Sequence, residues 1–417
     1  MFALFRDRNF VLWWLGGRIS IMGDYILIAA LPFYVFSVSK SVPATALIFM
    51  AQMLPPIVLG SVVGVYVDRW DRRRTMIMAE LVLAAVLLPL LAVRSGPSVW
   101  IVPLAATAEA AAFQFVPPAA SALIPAIVGR DRLAPANALL AIGTNLAVLI
   151  GPPLGALVLH ALGLSGVVLF DVASYLFAAA TVSLVTVQPE AVVKPGTDDT
   201  ARVASFWREW IEGLHLIRSK RWIAGLFAME ATTMFGGGMI WVVSIVFIER
   251  ILHQGALQYG WWLSLSAVGG IVGSFVMGYI APRLPPSRLI AAGCIIDGLI
   301  WLVVVRFQTL PVLLALAPLG AIGGTFWSVS AQTMLQTDIA DQYLGRIFGA
   351  YGAIASLAVL LGLGVASVLG GVVGIALLLG VAGSLSVVAG LIALVLLPGA
   401  ASGRRSDAIE DSHPLQL

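Results

Sequence analysis

Runs of about 20 apolar residues recur along this chain from end to end, and a run of that length crosses the ~30 Å of a bilayer's hydrocarbon as one helix. A helix satisfies its backbone amides and carbonyls internally, which lipid requires of any segment it touches. Twelve spans are predicted, at 10–37, 44–67, 75–94, 98–128, 135–161, 165–187, 222–249, 258–281, 287–306, 310–337, 345–370 and 372–397. The chain is 60% hydrophobic and 11% charged, whereas soluble domains average about 45–50% apolar residues. The expected class is an all-α integral membrane protein. The first run carries Arg18 and Asp24 and is too long for a signal peptide's hydrophobic region, so it is expected to stay as a helix.

Orientation follows from the cations. Most of the 24 lysines and arginines fall in alternate connections: Arg6 and Arg8, the 69–74 loop, Arg130 and Arg132, the 188–221 stretch, Arg283 and Arg288, Arg346, and Arg404 and Arg405. Only Lys40, Arg94, Arg250 and Arg306 fall on the opposite side. Cations near span ends are retained in the cytoplasm, so both termini are expected there, in a multi-pass protein of the inner (plasma) membrane. The net charge of +3 is spread over short loops, which excludes nucleic acid as the expected partner.

Enzyme chemistry finds no footing. His160, His215, His253 and His413 lie at span ends, in the linker segment or in the tail, where none can join a buried catalytic or metal cluster. Cys294 is alone, so an intrachain disulfide or a cysteine-built metal site is excluded. No Gly-x-x-x-x-Gly-Lys-Ser/Thr loop exists to hold ATP. No cofactor and no metal are expected.

Residues 188–204 form a polar stretch with Pro189, Pro195, Gly196, Asp198 and Asp199 and no apolar period. After it, Phe206, Trp207, Trp210, Ile211, Leu214 and Ile217 recur at helical spacing opposite Arg208, Glu209, Glu212 and Arg218. That segment reads either as an amphipathic helix on the inner leaflet or as an extension of the seventh span. The division is therefore 1–187, 188–221, 222–398 and a tail at 399–417. Gly60-Ser61-Val62-Val63-Gly64-Val65-Tyr66 matches Gly273-Ser274-Phe275-Val276-Met277-Gly278-Tyr279 at four of seven positions, 213 residues on. With six spans on either side of the linker, this suggests two pseudo-symmetric six-helix halves that alternate access by rocking.

Between the second and third spans lies Gly64-x-x-x-Asp68-Arg69-x-Asp71-Arg72-Arg73. A glycine permits close helix approach, a carboxylate at a helix end can cap a neighbouring N-terminus, and the arginines stay at the headgroups. This run resembles the loop motif of the major facilitator superfamily, whose layout the whole chain matches. Asp71 stands where that motif has its second glycine. In the second half, Gly278-Tyr-Ile-Ala-Pro-Arg283 lacks the acid, so gating is expected to be asymmetric. In the fifth span, Ala138, Ala147, Gly151-Pro152 and Gly155-Ala156 resemble the glycine-rich motif of the superfamily's proton-coupled exporters, with three glycines replaced by alanine. Small residues there let helices approach, and Pro152 removes a backbone hydrogen bond. The opening Leu4-Phe5-Arg6-x-x-Asn9-Phe10 and Gly23-Asp24 look most like the branch of macrolide-efflux and enterobactin-type siderophore exporters.

Asp24, Glu80, Glu109, Asp171, Glu230 and Asp297 lie inside apolar spans, where each costs at least ~2.5–3.5 kcal/mol if ionised and facing lipid. The resemblance implies that the first, fourth, seventh and tenth helices line a central cavity. It thereby selects Asp24 as first choice for the proton carrier, then Glu109 and Glu230, with Arg18 expected to neutralise one of them. Glu80, Asp171 and Asp297 fall outside that set and are expected to be structural, Glu80 meeting the hinge arginines. The expected substrate cavity is aromatic and adaptable: Phe33, Phe113, Gln114, Met234, Trp241, Trp327 and Gln332, with Trp13, Trp14, Phe115, Met229 and Phe326 as further candidates.

Three readings follow. The first is a proton-driven exporter of a hydrophobic or amphipathic small molecule, working as a monomer in the bilayer. A metabolite importer would call for a more polar cavity, and a non-transporting sensor would tolerate neutral replacement of Asp24.

Overall fold

In a computed structural model the described residues are 2–67, 70–93, 96–186, 221–339 and 341–398. Asp68, Arg69, the polar stretch at 188–204, the amphipathic segment after it and the tail at 399–417 lie outside them. Among the described residues the regular structure is all helical. The first three spans are Arg8–Ser39, Val42–Val67 and Arg72–Leu87. The last six are Arg221–Val246, Ala256–Ile280, Pro286–Phe307, Leu310–Asp338, Asp341–Leu369 and Ile375–Leu396. Each lies within a few residues of its apolar run, because the end of hydrophobicity is also the end of the helix.

One span departs from the expectation. The fourth is not one rod but Ile101–Phe113 followed by Val116–Val128, broken at Gln114 and Phe115. Pro117 and Pro118, in the first turn of the second piece, lack the amides that would continue the ladder. The fifth and sixth are separate arms of the stretch Leu133–Ser183, as predicted, parted at Gly163 with φ 67° and ψ −170°. That conformation is nearly confined to glycine, so the turn depends on this one residue. Counting the two arms separately, twelve membrane-length helical segments are present among the described residues.

The starts of two helices are set by aspartate. The Asp7 carboxylate accepts the amides of Asn9 and Phe10 at the head of the first span, and that of Asp71 accepts the Arg74 amide at 2.7 Å at the head of the third. Each satisfies donors that the helix itself cannot.

The chain divides into two compact units. One comprises Met1–Thr197, Val242–Ala267 and Ala366–Val372, the other Asp198–Trp241, Val268–Val365 and Val373–Leu417. Inside the first, the first and fifth spans pack backbone to backbone. A Cβ on Gly151 would lie 2.5 Å from that of Tyr25, and one on Gly155 would lie 2.4 Å from the Ile26 carbonyl oxygen. Between helices in lipid no hydrophobic drive operates, so close packing of this kind carries the association. In the second unit, Gly298 and Gly383 play the same part between the ninth and twelfth spans, each closing on the other's carbonyl oxygen.

Candidate functional site

On the first span, Gly16, Ser20, Gly23 and Asp24 recur at three- and four-residue spacing and therefore share a stripe. The sixth span lies against it. A Cβ on Gly16 would meet the Thr181 hydroxyl, and one on Gly23 would stand 2.1 Å from an Asp171 carboxyl oxygen. This bare stripe brings Asp171 and Tyr175, one helical turn apart, up to Asp24.

The result is a buried acidic cluster. The Tyr175 hydroxyl lies 2.6 Å from Asp24 Oδ1 and 3.3 Å from Glu109 Oε1 of the fourth span. One carboxyl oxygen from each of Asp24, Glu109 and Asp171 falls within 4.8 Å of the others. Tyr175 and Asp171 are fully shielded, and Asp24 and Glu109 are less than a tenth exposed. The Ser174 hydroxyl donates to Asp171 Oδ1 at 3.1 Å, while Glu109 Oε2 and Asp171 Oδ2 are buried with no hydrogen-bond partner among the described residues. Glu80 completes the surroundings, with Ser20 donating to its Oε2 at 3.2 Å.

Asp171, expected to be structural, stands within this cluster, since the glycine stripe draws the sixth span against the first. Two expectations need correcting here. Among the described residues Glu80 turns to the first span, where it takes the Ser20 hydroxyl, rather than to a hinge arginine, and it is 1% exposed. Among the described residues Arg18 pairs with no carboxylate: its Nη1 donates to the Leu140 carbonyl at 2.9 Å and to the Thr144 hydroxyl at 2.7 Å, and its chain runs over Gly143. Six residues turn a helix by roughly 240°, so Arg18 and Asp24 look to different neighbours. Tyr175 was not among the sequence candidates at all.

In the second unit the seventh-span acid Glu230 accepts the Tyr351 hydroxyl at 2.5 Å, and Asp297 accepts from Ser386 at 3.0 Å. Cys294 is buried beside Glu230's helix, 3.8 Å from both the Met229 sulfur and the Thr233 hydroxyl. An acid with a tyrosine partner thus occurs in each unit.

The loop motif is tied to the spans around it. Gly64 lies in the last turns of the second helix, Asp68 and Arg69 are outside the described residues, and Asp71 caps the third helix. Arg72 Nη1 donates to the Ala122 carbonyl at 2.9 Å, and Arg73 donates to the carbonyls of Val182 and Ser183. Trp70 stacks on Phe115 at the fourth-span break, with ring centroids 6.1 Å apart. A cavity of about 620 Å³ opens there, lined by Trp70, Arg74, Met78 and Phe115.

In the fifth-span motif, Pro152 and Pro153 lie within the helix, and Gly260 of the eighth span closes on the Pro152 backbone. Ser264 donates to the Leu149 carbonyl at 2.5 Å. The motif is therefore gripped on two sides, by the first and the eighth spans.

The aromatic candidates scatter. Phe33 packs on Tyr259 at 6.2 Å and lines a cavity of about 510 Å³ with Tyr34, Ser37, His160 and Gln258. Phe113 ends the helix before the fourth-span break and Gln114 lies in it, its side-chain amide donating back to the Ala110 carbonyl. Met234 and Trp327 are half-buried in the second unit, and Trp241 and Gln332 are exposed there. Trp13 and Met229 are core residues, 4% and 0% exposed.

Comparison with known proteins agrees with this architecture. The chain is 25% identical over 362 residues to macrolide efflux protein A of Streptococcus pyogenes, covering 84% of this chain and 86% of that one. It is 27% identical over 355 residues to the multidrug efflux pump Tap of Mycobacterium tuberculosis, covering 82% of each. Among solved structures it superposes on a bacterial homologue of the iron transporter ferroportin with a TM-score of 0.75, at 14% identity, over 93% of this chain and 98% of that one. The nucleoside transporter NupG gives a TM-score of 0.72, at 11% identity, over 94% and 100%. The sequence profile of the Major Facilitator Superfamily matches residues 13–237 and 226–416, nearly the full length. The chain belongs to the Major Facilitator Superfamily, a family of membrane transporters rather than enzymes.

Proposed function

We propose that this transporter is a proton-driven antiporter of the inner (plasma) membrane that exports a hydrophobic or amphipathic small molecule such as a drug, a siderophore or a secondary metabolite. The two six-helix parts, 1–187 and 222–398, alternate access around an aromatic cavity, both termini face the cytoplasm, and the chain works as a monomer. Its relatives' names, macrolide and multidrug efflux, support the direction and the substrate class.

The observation that carries the proton coupling is the buried cluster of Asp24, Glu109 and Asp171 around Tyr175. Two unit charges about 4–5 Å apart repel by roughly 3–4 kcal/mol even at an effective dielectric of ~20, so three carboxyl groups in this space hold protons between them. A change in the number held is what links proton movement to a change of conformation. Asp24 is the first carrier, with Glu109 beside it and Glu230 as the acid of the second unit.

The test is substrate-dependent proton movement in proteoliposomes with an internal pH dye, comparing the native chain with Asp24→Asn over macrolides, dyes and catecholate siderophores. Flux with one compound class, reduced at least about a hundredfold in Asp24→Asn, is expected. Full flux in the mutant removes Asp24 as carrier. No flux with any compound in the native chain overturns the antiporter reading.

A further inference from the structure

Resting on that antiporter reading, we infer that the Tyr175 hydroxyl relays the proton between Glu109 on the fourth span and Asp24 on the first. The side chain is fully buried, touches both carboxyls at once, and comes from a third helix. Asp171 and Glu80 are the other acids around it, and Arg18 on the same span as Asp24 donates through Nη1 to the Leu140 carbonyl and the Thr144 hydroxyl.

A phenol has one proton to donate and a lone pair with which to accept. At 2.6 Å from Asp24 Oδ1 its proton points at Asp24, a separation typical of a hydroxyl donating to a carboxylate. The contact with Glu109 then becomes a hydrogen bond only if Glu109 carries its own proton and donates to the Tyr175 oxygen. The consistent arrangement is neutral Glu109 donating to Tyr175, and Tyr175 donating to anionic Asp24. One concerted shift inverts it. The Glu109 Oε1–H bond breaks as a new Tyr175 O–H forms, and the old Tyr175 O–H breaks as Asp24 Oδ1–H forms. Asp24 ends neutral and Glu109 anionic, while Tyr175 again carries one proton, now the one that Glu109 gave up.

The two legs differ in length, and this supplies a gate. At 3.3 Å the Glu109 leg is longer than the ~2.5–3.0 Å of a good O–H···O bond, whereas the Asp24 leg is closed. Glu109 stands about one turn before the break at Gln114 and Phe115, so a small movement of this short helix makes or opens the relay. The break itself is tied to the loop motif through the Trp70–Phe115 stack.

Tyr175→Phe keeps the ring and removes the relay, and Glu109→Gln keeps a donor toward Tyr175 but has no proton to release. The readout is the number of protons moved per substrate molecule in proteoliposomes, with the compound that drives the largest proton flux in the native chain. A damaged fold lowers both fluxes together and leaves their ratio in place. The expected result is that the ratio falls at least about tenfold in both variants, with the pH dependence of efflux flattened. A native ratio and pH profile in either variant overturns the relay and leaves the antiporter reading intact. Absence of proton flux in the native chain overturns both.

Discussion

A methyl group at residue 155 would have to occupy the space of the Ile26 carbonyl oxygen, 2.4 Å from where its Cβ would be built. Backbone cannot swing aside as a long side chain does, so Gly155→Ala is expected to force the first and fifth spans apart and lower stability by about 1–3 kcal/mol. Gly17→Ala, on the same helix as Ile26 but with nothing within 4 Å of its Cβ, is the control, expected to hold or raise stability by up to ~1 kcal/mol. Thermal unfolding in detergent measures both, and an unaffected midpoint for Gly155→Ala would show that the contact relaxes freely. At this scale the sequence was partly legible. Asp24, Glu109 and Glu230 stood out because a carboxyl in an apolar run is costly. Tyr175 did not, because an aromatic residue in a span is unremarkable until its neighbours are known. The usable signal was its four-residue spacing from Asp171, facing the small-residue stripe that runs through Gly23. Arg18 was misjudged because proximity along a helix says little about direction around it.

Among the elements, the spans themselves were readable to within a few residues, since length and hydrophobicity in lipid leave few choices. Of their interruptions, the turn at Gly163 falls in the predicted gap between the fifth and sixth spans, whereas the fourth-span break, which depends on two successive prolines, was not readable. A third interruption, the π-turn Phe247–Ile251 after the seventh span, has no sequence signature of its own. It carries Glu249 and Arg250 to the C-terminal end of the first helix, where Lys40 pairs with Glu249 and Arg250 reaches the Lys40 carbonyl and covers the Phe36 ring at 5.1 Å. Lys40 is largely exposed, so the pair is expected to contribute no more than about 1 kcal/mol. Lys40→Glu should lose that contribution and add repulsion, and the exchanged pair Lys40→Glu with Glu249→Lys should recover most of it. A double-mutant cycle on thermal stability gives the coupling directly, and a value near zero would reduce the contact to coincidence.

For the whole molecule, the fold class was the most legible property, because composition alone excludes a soluble core and the loop motif points to the family. Orientation belongs to the same scale and is open to labelling. The connection holding Thr309 is assigned to the outside and that holding Leu284 to the cytoplasm. A membrane-impermeant maleimide added to intact cells is therefore expected to modify Thr309→Cys and spare Leu284→Cys, with the reverse pattern in inverted vesicles. Modification of Leu284→Cys in intact cells would invert the topology. Cys294, packed between Met229 and Thr233 with no exposed surface, bears on every such experiment. A thiol sealed in this way is silent to reagents in water. The natural chain is thus its own blank, and probes attached in pairs at its surface would follow its transport cycle without replacing the one sulfhydryl it already has.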